Sequence, residues 1–284
     1  MSAAALTVRA FRDADLPAAD GPTFDDAAEP AADDRLVVAA LAPEGPGARK
    51  RALEALLCAR RLQRDAPPLR GEDRRLRPLS TAVPAIDALT GGGLPRGQLS
   101  QLHGPASSGR TGVLVSLLAS VTSAGALAAL VDPLDRFDPA SAAAAGADLA
   151  RLLWLRGPRG DREEPTAKAL ADATAAVATL AGSGLFDLVA LDLAGAGPAP
   201  SRALPSTTWL RLARLVEEMP TALVVLADGA VAQSPGGASV ALEPTGARWS
   251  APGGPGRRLV SLAACVRTGR HGRRAASLSL SAPA

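Results

Sequence analysis

The stretch "HGPASSGRTG", residues 103–112, constrains this chain more than any other. An apolar segment runs into it, and a long uncharged segment runs out of it. Glycines bracketing a turn between a strand and a helix bring backbone N–H groups and a helix N-terminus to one point, which suits anionic oxygens. A phosphate-binding loop needs Gly, four residues, then Gly-Lys-Ser/Thr. Gly104, Gly109 and Thr111 hold that spacing, and Arg110 stands where the lysine belongs. Arginine keeps the charge, but its planar fork is no like-for-like substitute for a compact ammonium. The predicted cradle is Gly104, Ser107, Ser108, Gly109, Arg110 and Thr111.

A loop of this kind needs a parallel sheet around it, and the sequence supplies the alternation. A strand near residues 99–103 leads into the loop. A helix over 110–123 follows, then a buried strand at 126–131. "PASAAAAGADLA" predicts a helix and "RLLWL" a strand. A helix over 165–181 precedes "FDLVALD", a strand ending in Asp192. "STTWLRLARLVEEM" places Trp209, Leu212, Ala213 and Val216 on one helical face, and "TALVVLA" is the next strand. The last forty-five residues predict edge strands. Asp192 is placed to hold Mg²⁺ beside the loop, with Asp132 at the end of "AALVD" as a rival. Either one serves equally as a strand-end turn residue.

Charge divides the chain. Residues 1–47 carry nine acids against three arginines, and residues 49–77 carry ten basic residues against four acids. From residue 244 onward there are seven arginines and no acid. The expected domains are a disordered acidic arm (1–47), a basic helix and linker (48–78) and a core (79–284). Leu53, Leu56 and Leu57 form a narrow apolar stripe on that helix, fit to pack on its own core or on a neighbour. Lysines number two, so part of the arginine preference reflects GC-rich coding.

Cys58 and Cys265 have no paired spacing and read as buried small hydrophobes. The stretch 112–131 is uncharged for twenty residues, but its hydroxyls and Gly125 make it a helix, a turn and a strand rather than a membrane span. The sequence opens without a basic flank and apolar core, so a cytoplasmic protein is expected.

Residues 70–139 resemble the RecA recombinases. "LRGEDRRLRPLSTAVPAIDALTGGGLPRGQLSQLHGPASSGRTG" is similar to that family's Ile-Asp, GGLPxG turn, strand and GPxSSGKT, and "ALVDPLDRFDP" continues it. The resemblance implies a RecA-like core with a mainly parallel sheet after an N-terminal helix. It also implies losses. Arg110 replaces the loop lysine. The catalytic glutamate position falls on Leu134, which can neither orient water nor accept a proton. The γ-phosphate-sensing glutamine becomes Asp228 or Ala227, and the two DNA-binding loops keep few basic residues.

A RecA-like core without these groups resembles the ImuA family, SulA-like accessory proteins of SOS mutagenesis. That resemblance implies a non-catalytic protein with weak ATP/Mg²⁺ binding or none. It implies as partners RecA, the Y-family polymerase homologue ImuB, an error-prone C-family polymerase indirectly, and single-stranded DNA. The expected contact residues are Arg51, Arg60, Arg61, Arg267, Arg270, Arg273 and Arg274. A DNA-dependent ATPase and a SulA-type division inhibitor are the alternatives.

Overall fold

The computed structural model describes residues 7–9, 46–59, 77–157, 165–217, 219–232, 234–250, 258–268 and 274–281. Among them nine strands form one sheet: β1 (Thr7–Arg9), β2 (Leu99–His103), β3 (Ala128–Asp132), β4 (Leu152–Arg156), β5 (Leu188–Leu193), β6 (Ala222–Ala227), β7 (Ser239–Trp249), β8 (Leu259–Thr268) and β9 (Arg274–Ser281). Their order is β1-β4-β3-β5-β6-β2-β7-β8-β9. Every pairing from β4 across to β7 is parallel, and the outer strands β1, β8 and β9 pair antiparallel. This is the α/β core with a mainly parallel sheet that the sequence predicts.

Parallel strands covered on both faces read as unbroken apolar runs. "LVALDL" of β5 and "ALVVLA" of β6 are buried at every position. Alternate side chains build two cores. Ala129, Val131, Val189 and Leu191 face one layer, with Leu53, Leu170, Val177, Trp209 and Leu212. Ala128, Leu130, Leu188 and Ala190 face the other, with Ile86, Val113, Leu117, Ala142 and Leu278.

The helices are α1 (Pro46–Ala59), α2 (Pro84–Thr90), α3 (Arg110–Ser123), α4 (Pro139–Ala144), α5 (Ala167–Gly182), α6 (Ala199–Ala203) and α7 (Ser206–Val216). Local chemistry sets their ends. Asp138 caps α4 by accepting from Ala140 N and Ser141 N, and Thr166 caps α5 by accepting from Ala169 N. Asp87 fixes the entry to α2, its Oδ1 accepting from Thr81 N at 2.9 Å and Thr81 Oγ1 at 2.7 Å. At the amino end of the sheet, Arg96 pairs with Asp187 at 3.0 Å and donates to Pro220 O at 2.9 Å. These contacts tie the turn before β2 to the entries of β5 and β6.

Three expectations change, and the alternative left open for the leucine stripe is resolved. The acidic arm contributes an edge strand, β1, beside β4; residues 10–45 lie outside the described residues. The leucine stripe of α1 is spent on the chain's own core, with Leu53 1% exposed. Cys58 is exposed and Cys265 half-buried, because turning Leu53, Leu56 and Leu57 inward leaves Cys58 on the outer face of α1. The helix expected over "PASAAAAGADLA" stops at Ala144; Gly146, at φ +92°, breaks it before a short 3₁₀ turn. Among the described residues, no helix is long and apolar enough to cross a membrane.

Candidate nucleotide site

The carboxyl ends of β2, β3, β5 and β6 meet around the loop between β2 and α3. A cavity of about 300 Å³ opens there, lined by Ser107, Ser108, Arg110, Thr111, Arg136 and Asp192, with Leu262 of β8 as an apolar wall. The structure thus brings Ser107, Ser108, Gly109, Arg110 and Thr111 of the predicted cradle together with Asp192, while Gly104, at the start of the loop, does not line the cavity.

The loop geometry follows from its glycines. Gly104 approaches the β7 backbone so closely that a Cβ there would lie 2.2 Å from Leu242 O. Gly109 takes φ +89°, the left-handed region that side chains resist, and precedes the first turn of α3. Its missing side chain makes room for Leu280 of β9. Ser108 Oγ is buried without a hydrogen-bond partner.

The charged groups depart from a phosphate site. Arg110 is 7% exposed. One guanidinium nitrogen donates to Gly104 O, back across its own loop, and the other pairs with Asp228 Oδ1 at 2.5 Å. Asp228 in turn accepts from Gly195 N at 2.9 Å and Gly197 N at 2.8 Å, in the loop after β5. Arg136, exposed on the turn after β3, donates to Ala194 O at 3.2 Å.

The two strand-end aspartates differ in role. Asp132 is fully buried and its Oδ2 closes its own turn, accepting from Arg136 N at 2.8 Å, Phe137 N at 2.9 Å and Trp154 Nε1 at 3.3 Å. Its Oδ1 is buried and unpartnered. Burial raises its carboxyl above the usual range, against those hydrogen bonds. Asp192 accepts from Ala194 N at 2.8 Å. Burial, aided by the Asp132 charge, pushes Asp192 up to about 7, against the Ala194 hydrogen bond and the arginines Arg110 and Arg136. Leu134 packs against the apolar core, and Asp135 is tied to Arg156 at 2.5 Å.

With this geometry in view, the similarity to known proteins has a place to fall. The RecA N-terminal domain family matches residues 69–198, the segment that carries the loop, β3 and β5. Over that segment the chain is RecA-like. RecA of Chlorobaculum tepidum is 36% identical over 115 residues, 40% of this chain and 30% of that protein. RecA of Rubrobacter xylanophilus is 35% identical over 115 residues, again 40% of this chain and 30% of the relative. RecA of a Nostoc species is 34% identical over 79 residues, 28% of this chain and 22% of the relative. The chain therefore spans less than a third of the length of these curated relatives.

The RecA-like backbone cradle is intact, but the side chains do not fit a magnesium nucleotide. The loop cation is committed to Gly104 and Asp228. Burial holds the Asp192 carboxyl above its usual range, which opposes the charged form that Mg²⁺ requires. Asp228 neutralises Arg110, which leaves Arg136 as the other cation lining the cavity and a polyphosphate little net attraction.

Of the predicted contact arginines, Arg51, Arg267 and Arg274 fall among the described residues. Arg51 is exposed on the outer face of α1. Arg267 is exposed on β8 and pairs with Glu243 at 2.8 Å. Arg60, Arg61, Arg270 and Arg273 lie outside the described residues, and Arg274 begins β9. Sequence reasoning missed Arg136 and Leu262 as cavity walls and the pairing of Arg110 with Asp228. A signal for the pairing existed: the loop cation and the residue facing it depart from the RecA pattern together.

Proposed function

We propose that this chain is a non-catalytic RecA-like accessory protein of the ImuA type, serving SOS-induced DNA synthesis across lesions. One observation carries the reading: the Arg110 guanidinium is consumed inside the chain, by Gly104 O and Asp228. Leu134, where RecA has its glutamate, supports it. The activity is then exercised through binding, with RecA and an ImuB-type polymerase homologue as partners, an error-prone C-family polymerase reached indirectly, and single-stranded DNA as a further contact. Exposed Arg248, Arg258 and Arg267 on the β7–β8 hairpin suit phosphates or an acidic partner. Because the leucines of α1 are buried at home, its outer face, with Lys50 and Arg51, is the part left to meet RecA.

The deciding experiment assays phosphate release from Mg²⁺–ATP with and without single-stranded DNA, and titrates labelled RecA into the same protein. The expected result is no release and saturable RecA binding. DNA-stimulated release that Arg110→Ala abolishes would restore a RecA-type ATPase, with Asp192, held near neutrality beside Thr111, as its proton acceptor. A preparation that binds the division-ring GTPase and not RecA would favour the SulA-type reading.

A further inference from the structure

We infer that Asp228 is a built-in anion, whose carboxylate takes the place of a nucleotide phosphate at the loop cation and shuts the cradle to nucleoside triphosphates. The inference rests on the accessory reading above and goes beyond it. A chain can lose hydrolysis and still bind ATP, whereas this arrangement opposes binding itself.

Arg110 opens α3, and its fork reaches two acceptors at once, Gly104 O and Asp228 Oδ1. A lysine ammonium has no such planar fork, whereas the arginine holds both acceptors at once. Asp228 is held from its other side as well. Gly195 N donates to its Oδ1 and Gly197 N to its Oδ2. Backbone N–H groups that converge this way form an anion-binding concavity. Here the concavity is filled by the chain's own carboxylate, which is fixed by two amides and one guanidinium.

A phosphate approaching Arg110 must therefore displace a carboxylate already satisfied, and it meets Asp192 on the way. Nothing equivalent opposes the internal pair. The same contacts join three segments at the carboxyl edge of the sheet: the loop after β2, the loop after β5, and the end of β6. Those loops hold one arrangement with no ligand, so a partner that reads this edge meets a preset surface.

The test uses the full chain, with Mg²⁺–ATP and inorganic phosphate as probes in calorimetric titration. Circular dichroism checks each protein for folding, and amide exchange is followed at Gly195 and Gly197. The wild type is expected to give no binding heat at millimolar probe and unchanged exchange on adding ATP. Asp228→Ala is expected to bind Mg²⁺–ATP at least about tenfold more tightly than wild type, and Arg110→Lys/Asp228→Gln to bind it more tightly still. Both variants should exchange faster at Gly195 and Gly197.

Should Asp228→Ala fail to fold, the double variant, which retains a cation and a neutral acceptor, carries the same prediction. Wild type that binds Mg²⁺–ATP as tightly as these variants would overturn the inference. So would folded variants that gain no affinity. Phosphate release, measured separately, keeps the two proposals apart. Wild-type binding as tight as the variants', without release, sinks only this inference, whereas wild-type release sinks the accessory reading.

Discussion

Asp192 offers the sharpest test of the site's electrostatics. Its carboxyl is 6% exposed, and its ordinary value of 3.8 is raised to about 7 in the fold. Below about pH 4 the group is protonated both folded and unfolded, and it adds no pH dependence. Between about 4 and 7 the unfolded chain gives up the proton while the folded chain keeps it, so stability falls as pH rises. At about 1.4 kcal/mol per unit over roughly three units, the loss approaches 4 kcal/mol and then stays constant above pH 7. Asp192→Asn retains an oxygen to accept from Ala194 N and removes the titration. Urea unfolding of both proteins from pH 4.5 to 8.5 should show near-equal stability at the acid end. Toward pH 8 the variant should become more stable by an amount approaching that ceiling. The difference between the two proteins cancels carboxylates remote from Asp192, while Asp132, whose charge raises it, titrates with it. A difference that stays flat with pH, or that favours the wild type at pH 8, would refute the account of Asp192 as a buried, mostly unpaired acid.

Three further outcomes follow from the buried ion pair and from the docking of α1. Arg96→Ala removes a buried pair with Asp187 and a donor to Pro220 O, and the loss should be about 1–3 kcal/mol by urea unfolding. Leu53→Ala should cost about 2–5 kcal/mol, since the side chain lies inside the core. Arg51→Ala on the exposed face of the same helix should stay within about 0.5 kcal/mol of wild type. Equal, small effects of both α1 substitutions would show that the helix does not dock on its own chain.

The sequence exposed those parts of the molecule whose physics is local or repetitive. The strands β5 and β6 announce themselves by continuous apolar composition, because both faces are covered. The cradle announces itself because few residue patterns let a chain turn that tightly beside a helix start. Asp192 was found because a carboxylate ending a buried strand is conspicuous. What escaped depends on contacts between distant segments. Leu262 and Leu280 reach the loop only because β7 turns from a parallel neighbour of β2 into an antiparallel hairpin partner of β8. The choice of the stripe on α1 between its own sheet and a neighbour cannot be read from three leucines. Asp228 looked like a lost glutamine; its nearness to Arg110 and to the Gly195 and Gly197 amides exists only once β5, β6 and β2 stand side by side.

The bridge between Arg110 and Asp228 also bears on how such a chain changes over generations. Returning Arg110 to lysine alone leaves the carboxylate of Asp228 seated on its two amides. Returning Asp228 to glutamine alone strands a buried guanidinium without its counter-charge, a costly intermediate. Arg110 therefore makes the loss of Asp228 costly, whereas the reverse dependence is weaker. Stability thus holds the chain to this corner, while drift can reshape the rest of the surface.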